Sequence, residues 1–269
     1  MRLNHARAAR LFASAALAVI VAVSAAGFTT TGHETTGSIG GVNEPRTDAE
    51  WRRAAEVWGE RYQANPGDAE AAIRYAQALR STGRRAQASA VLEQASIQNP
   101  NDKTLLGAYG RALAEVGDYS QALEVLSRAH TPDQPDWRIL NVQGAVLDQM
   151  GRHSEAQRHY ASALKIVPND PAILSNLGLS YALSKDLKRA EITLRRAVEQ
   201  QTAEPKVRQN LALVVGLQGR FAEAEKIARA DLPEDEAAAN VTYLRGVLSQ
   251  QNQWKKRGRP HLPAPDAGS

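Results

Sequence analysis

Five blocks of 34 residues, beginning at Ala69, Lys103, Trp137, Pro171 and Pro205, align the same residue types without a gap. Small residues set the register. The eighth position of each block reads Ala76, Gly110, Gly144, Gly178 and Ala212, and the twentieth reads Ala88, Ala122, Ala156, Ala190 and Ala224. With 47 alanines in 269 residues, five in one column is on the order of a one-in-several-thousand coincidence. A chain built this way buries its apolar surface only by stacking one block on the next.

The remaining columns have physical roles. Leu79, Leu113, Leu147, Tyr181 and Val215 recur at position 11, and Leu92, Leu126, Tyr160 and Leu194 at position 24. These large residues are expected to interdigitate between two helices of a block, with the small residues allowing close backbone approach. Gly83, Gly117, Gly151 and Gly219 mark the turn between the helices, where a left-handed conformation penalises a β-carbon, and Lys185 is the exception. Pro66, Pro100 and Pro168 end second helices. Gln134 and Thr202 break that column, with Pro132, Pro135 and Pro205 nearby. This period and these columns are those of the tetratricopeptide repeat, so the expected fold is all-α, a right-handed α-solenoid.

Partial units flank the five. Thr47-Asp48-Ala49-Glu50 reads as a capping box opening a helix with the stripe Trp51, Ala54, Ala55, Trp58 and Tyr62. Asp235 to about Trp254, with Val241, Leu244, Val247 and Leu248 at helical spacing, reads as a helix capping the stack. The repeat domain is therefore expected over 47–255, with five full repeats from 69 to 238, and a basic, Pro-containing disordered tail over 256–269.

Ahead of it, Arg2, Arg7 and Arg10, the apolar stretch Leu11 to Val23 and Ser24-Ala25-Ala26 have the order of a secretory signal over 1–26. Retention as an uncleaved anchor is the alternative, because no charge occurs from Leu11 through Gly32. The Gly/Thr/Ser-rich residues 27–46 read as a flexible linker. Removing the three arginines takes the net charge from +4 to +1 (4 − 3), which gives no reason to expect a nucleic-acid partner. The chain has no cysteine, so disulfides, thiolate sites and lipidation on cysteine are excluded.

No catalytic motif stands out. His153 and His159 are six apart and fall on nearly opposite helix faces. There is no His-Glu-x-x-His, and no glycine-rich phosphate loop. Charges such as Arg189, Glu191, Arg195 and Glu199 read as solvated i,i+4 pairs. The expectation is a non-enzyme with no metal, cofactor or small-molecule substrate.

The functional surface is then expected on the concave face, lined by the first helix of each block. Its candidates are Arg80, Arg111, Arg138 and Asn141 in the N-terminal half and Asn176, Leu179, Leu183, Gln209, Asn210, Leu213 and Leu217 in the C-terminal half. Asparagines there suit an extended peptide backbone and leucines suit apolar side chains. The same leucines equally fit a role packing against adjoining helices. Ile73 and Gly107 stand where a lysine clamp for a C-terminal carboxylate would need Lys.

The stretches DWRILNVQGAVLDQMGRHSEA (Asp136–Ala156), LSNLGLSYALSKDLKRAE (Leu174–Glu191), VRQNLALVVGLQGRFAEAE (Val207–Glu225) and ADLPEDEAAANVTYLRGVLSQQNQWK (Ala230–Lys255) resemble TadD, the tetratricopeptide protein family of tight adherence (Flp) pilus systems. The resemblance covers nearly everything after Asp48. It implies an exported, periplasmic, outer-membrane-associated assembly factor, pilotin-like, whose partner is the pilus secretin or another Tad component. Members carry a lipobox cysteine after the apolar segment, whereas Ala25-Ala26-Gly27-Phe28 has none, leaving the N-terminus as the route to membrane association. A general periplasmic scaffold or chaperone for another envelope complex is the alternative.

Overall fold

The computed structural model describes Pro45 and residues 47–257, with side chains described to residue 250. The expected signal segment, nearly all of the linker and residues 258–269 lie outside them. Twelve helices run through the described residues: α1 Asp48–Ala64, α2 Ala69–Ser81, α3 Arg85–Gln98, α4 Lys103–Val116, α5 Tyr119–Arg128, α6 Trp137–Gln149, α7 His153–Ile166, α8 Pro171–Leu183, α9 Leu187–Val198, α10 Pro205–Leu217, α11 Phe221–Ala228 and α12 Glu234–Arg257. No named strand occurs among them, and none of these helices is long and apolar enough to cross a membrane.

Local chemistry explains the boundaries. The capping box is formed: Glu50 N–H donates to Thr47 Oγ1 at 3.2 Å, and Thr47 N–H donates to the Glu50 carboxylate at 2.9 Å. Asp68, Asp102, Asp136 and Asp170, themselves 34 apart, cap α2, α4, α6 and α8 by accepting backbone N–H bonds of 2.7–3.1 Å. The turn between paired helices takes positive φ at Gly83, Gly117, Gly151 and Gly219, and Lys185 adopts the same conformation at φ 68°. The exception in the glycine column is thus one of identity only. Between α5 and α6, Pro132 and Pro135 bracket a short turn closed by a Thr131–Gln134 bridge. That turn replaces helix, so α5 has 10 residues where α3 and α7 have 14.

The columns pack as pairs. A β-carbon built on Gly110, Gly144 or Gly178 would fall 2.5–2.6 Å from Leu126, Tyr160 or Leu194 respectively, so position 8 is the hole that position 24 fills. The five alanines at position 20 are all 0–1% exposed. Apolar clusters follow one another along the chain, from α2–α6 through α6–α8 to α8–α12, with no single central core. At the C-terminal end, α12 lays Ala237, Val241 and Leu244 on α10 and α11, Leu244 reaching Gly216. The helix continues to Arg257, two residues into the segment expected as tail.

Candidate protein-binding surface

Consecutive first helices touch through short side chains. Asn176 Nδ2 on α8 donates to Asn141 Oδ1 on α6 at 3.0 Å, and Asn210 Nδ2 on α10 donates to Ser175 Oγ on α8 at 2.9 Å. Both pairs are 35 residues apart, one repeat plus one position. Arg80 on α2 completes the series, donating through Nε to Glu115 on α4 at 2.8 Å and pairing with the same carboxylate through its terminal nitrogen. Second helices, by contrast, are bridged by long side chains: Arg195 on α9 reaches Glu223 on α11, and Arg220 reaches back to Glu191. Ties thus run from first helix to first helix and, separately, between second helices and the turns beside them, and the inner side expected from the sequence is the first-helix side.

Along that inner side the sequence candidates separate into two groups. Arg80, Arg111, Arg138, Asn141, Asn176, Gln209, Leu213 and Leu217 are half-buried and form one row. Arg138 lies over the Trp137 ring, 4.4 Å from its centroid. Arg111 has its pKa lowered by burial and by Arg138, while Glu115 and Asp136 raise it. Leu179, Leu183 and Asn210 are corrected: they are 7%, 6% and 2% exposed and belong to the interior. For the two leucines the reason is the position of α8, which packs against α6, α7, α9 and α10 and is mostly apolar, so their sides of the helix are covered while Asn176 stays partly open; Asn210 on α10 is held against Ser175. Buried Asn210 Oδ1 and the neighbouring Gln209 Nε2 have no protein partner.

Two polar clusters join residues that no repeat column relates. Asp148, at the end of α6, accepts from Ser180 Oγ at 2.8 Å and from Tyr160 OH at 3.2 Å, and meets His153 Nδ1 at 2.8 Å, tying α6, α7 and α8 together. Burial raises its pKa against the lowering effect of those partners, and burial likewise drives Tyr160 well up. The trio of Ser, His and Asp is no catalytic device, because Ser180 is fully buried and both it and His153 address the carboxylate and not each other. The second cluster corrects the reading of Glu191 as a solvated partner. Its side chain is 15% exposed and accepts from Gln218 at 2.8 Å, Arg195 at 2.6 Å and Arg220 at 2.7 Å. Burial alone would raise its pKa, but these three bonds together bring it to about 2.

His153 and His159 do part company: His153 joins Asp148, while His159, its pKa lowered by burial and by His130, lies elsewhere on α7. Among the described residues no group of three His, Cys, Asp or Glu is arranged to hold a metal.

Comparisons with known proteins decide the fold. Residues 149–214 match the family model described as tetratricopeptide repeat, and residues 52–129 match the model of anaphase-promoting complex, cyclosome, subunit 3. The fold is a tetratricopeptide-repeat solenoid. Among solved structures, it superposes on PilW, a widely conserved type IV pilus biogenesis factor, with TM-score 0.64 and 16% identity over 72% of this chain and 91% of that one. The Cut9–Hcn1 hetero-tetramer of the anaphase-promoting complex gives 0.62 and 16% identity, over 76% of this chain and 40% of that one. A thermophilic tetratricopeptide protein of Thermus thermophilus, TTC0263, gives 0.54 and 23%, over 69% and 99%. No curated protein matches the sequence. Tetratricopeptide domains are protein-binding modules, and this chain has the form of a scaffold for protein–protein interaction.

Proposed function

We propose that the chain is an exported, pilotin-like assembly factor of a Tad/Flp pilus secretion system, located in the periplasm at the outer membrane, that binds an extended segment of the secretin on its inner face. The observation that carries this reading is the half-buried pair Leu213 and Leu217, one turn apart on α10. An extended segment supplies what that surface lacks, apolar side chains to cover the leucines. Asn141 and Asn176 extend the row, since their mutual bond uses one acceptor and one donor of groups that each carry more. The resemblance of residues after Asp48 to TadD supplies the secretion system, and a type IV pilus biogenesis factor on the same fold is consistent with it.

The experiment is co-purification of the secretin, with a count of surface pili, in cells carrying Leu213→Glu with Leu217→Glu. An unpaired carboxylate placed in an apolar contact is costly enough to abolish a modest peptide affinity. The double variant is expected to keep its circular dichroism and lose both secretin and pili. Glu124→Lys with Glu199→Lys, both exposed on second helices or their ends, is expected to change neither. Normal piliation in the inner-face variant would remove that surface from the mechanism.

A further inference from the structure

Seven glycines lie inside helices among the described residues, and six of them receive a bulky side chain from a neighbouring helix. Gly59 faces Tyr75, Gly107 faces Ile139, Gly110 faces Leu126, Gly144 faces Tyr160, Gly178 faces Leu194 and Gly216 faces Leu244. Gly246 on α12 is the seventh, and a β-carbon there would meet nothing within 4 Å. A glycine in an open helix interior is a poor helix former with no local packing reason. One turn away on the same face, Tyr243 is 65% exposed, a large side chain with no neighbour to receive it. The helix therefore carries one unfilled hole and one unseated knob, side by side.

We propose that this face of α12 pairs with the same face of a second copy of the chain, antiparallel, with Tyr243 of each copy seated over Gly246 of the other. Ala237, Val241 and Leu244 already bind the opposite face to the solenoid, so the paired face is directed outward. A two-fold axis between positions 244 and 245 sets the register: position 243 meets 246, and position 239 meets 250. Each large residue then meets a small one, Tyr243 with Gly246 and Gln250 with Ala239. In sequence the helix is acidic at its start, Glu234, Asp235 and Glu236, and basic at its end, Lys255, Lys256 and Arg257. Opposite charges along the helix thus favour the antiparallel arrangement, and a parallel one would put like charges together. A helix of 24 residues is about 36 Å long, enough for about six turns of contact. The resulting particle is isologous and closed, and carries two inner faces.

The chain's mass in solution tests this, by light scattering after gel filtration, on protein purified from the cell envelope across a concentration series. The wild type is expected at twice the chain mass. Gly246→Gln fills the hole while fitting the open monomer surface, so it is expected at one chain mass with circular dichroism intact and a melting temperature equal or higher. Tyr243→Ser is expected to be monomeric as well. A wild type that runs as a monomer, or that carries a different protein in place of a second copy, overturns the proposal. So does a Gly246→Gln variant that remains dimeric. Because the inner face is not involved, loss of the dimer with secretin binding retained is distinguishable from failure of the function proposed above.

Discussion

The side chain on which most depends is Asp148. It accepts bonds from Ser180 and Tyr160 and meets His153, so Asp148→Ala leaves buried donors without an acceptor and is expected to cost about 1–3 kcal/mol in denaturant unfolding. Asp148→Asn keeps an acceptor and should cost less. The sign of the pH effect follows from the raised pKa: the folded protein takes up a proton at a pH where the unfolded chain has already lost it. Stability of the wild type relative to Asp148→Asn should therefore rise as the pH falls through the window just above the usual aspartate value. A flat difference across that window would contradict the burial of the charge. Lys185 offers a test of opposite direction. Its left-handed φ of 68° is unfavourable for a residue with a β-carbon, so Lys185→Gly is expected to stabilise by about 0.5–1 kcal/mol in the same assay. At this scale the sequence disclosed the columns and not the partners. The aspartate caps at 68, 102, 136 and 170 recur every 34 residues but were not among the columns read from the sequence, and the Asp148 contacts join residues 5, 12 and 32 positions apart that no repeat column relates.

Helices are where the repeat reading applies most directly. Position 8 against position 24 is a contact within one block, so the pairing of Gly144 with Tyr160 follows from the period and from helix geometry. Ala156 sits fully buried in that same block, and Ala156→Leu should overpack it by roughly 1–3 kcal/mol or more. Hydrogen exchange should show the damage centred on α6 and α7; an equal rise in all blocks would mean tighter coupling along the stack. Leu179 and Leu183 went to the interior because burial on α8 depends on four neighbouring helices, and a single-helix projection cannot count them. Glu191 shows the same limit on the outer side: i,i+4 spacing to Arg195 was visible, while Arg220 and Gln218 come from the next unit. Because its pKa of about 2 lies below the ordinary glutamate range, the stability it contributes is present above that range and lost as the pH falls towards 2. The melting temperatures of wild type and Glu191→Gln should therefore differ at neutral pH and converge near the acid end; a constant gap would contradict the network.

Among the described residues the molecule is a stack ending in α12, and residues 1–26 are proposed to direct the chain to the periplasm. With the basic, apolar and small-residue parts present and cysteine absent, the mature chain should begin near Gly27 without acyl modification. Intact mass and N-terminal sequencing of envelope protein check this: a retained Met1 shows an anchor, and a lipid-sized increment excludes both. The stack itself was legible because repetition announces itself in one dimension; which surface binds what was not, since the repeat columns encode packing and leave inner-face positions to vary. The inner face of the first helices is proposed to hold a partner segment. Photocrosslinking in intact cells tests it most directly, with a benzophenone amino acid at position 213 on the inner face or at position 124 on the outer. A crosslink to the secretin from 213 and none from 124 is the predicted result. Crosslinking from 124 with none from 213 would put the partner on the outer face instead.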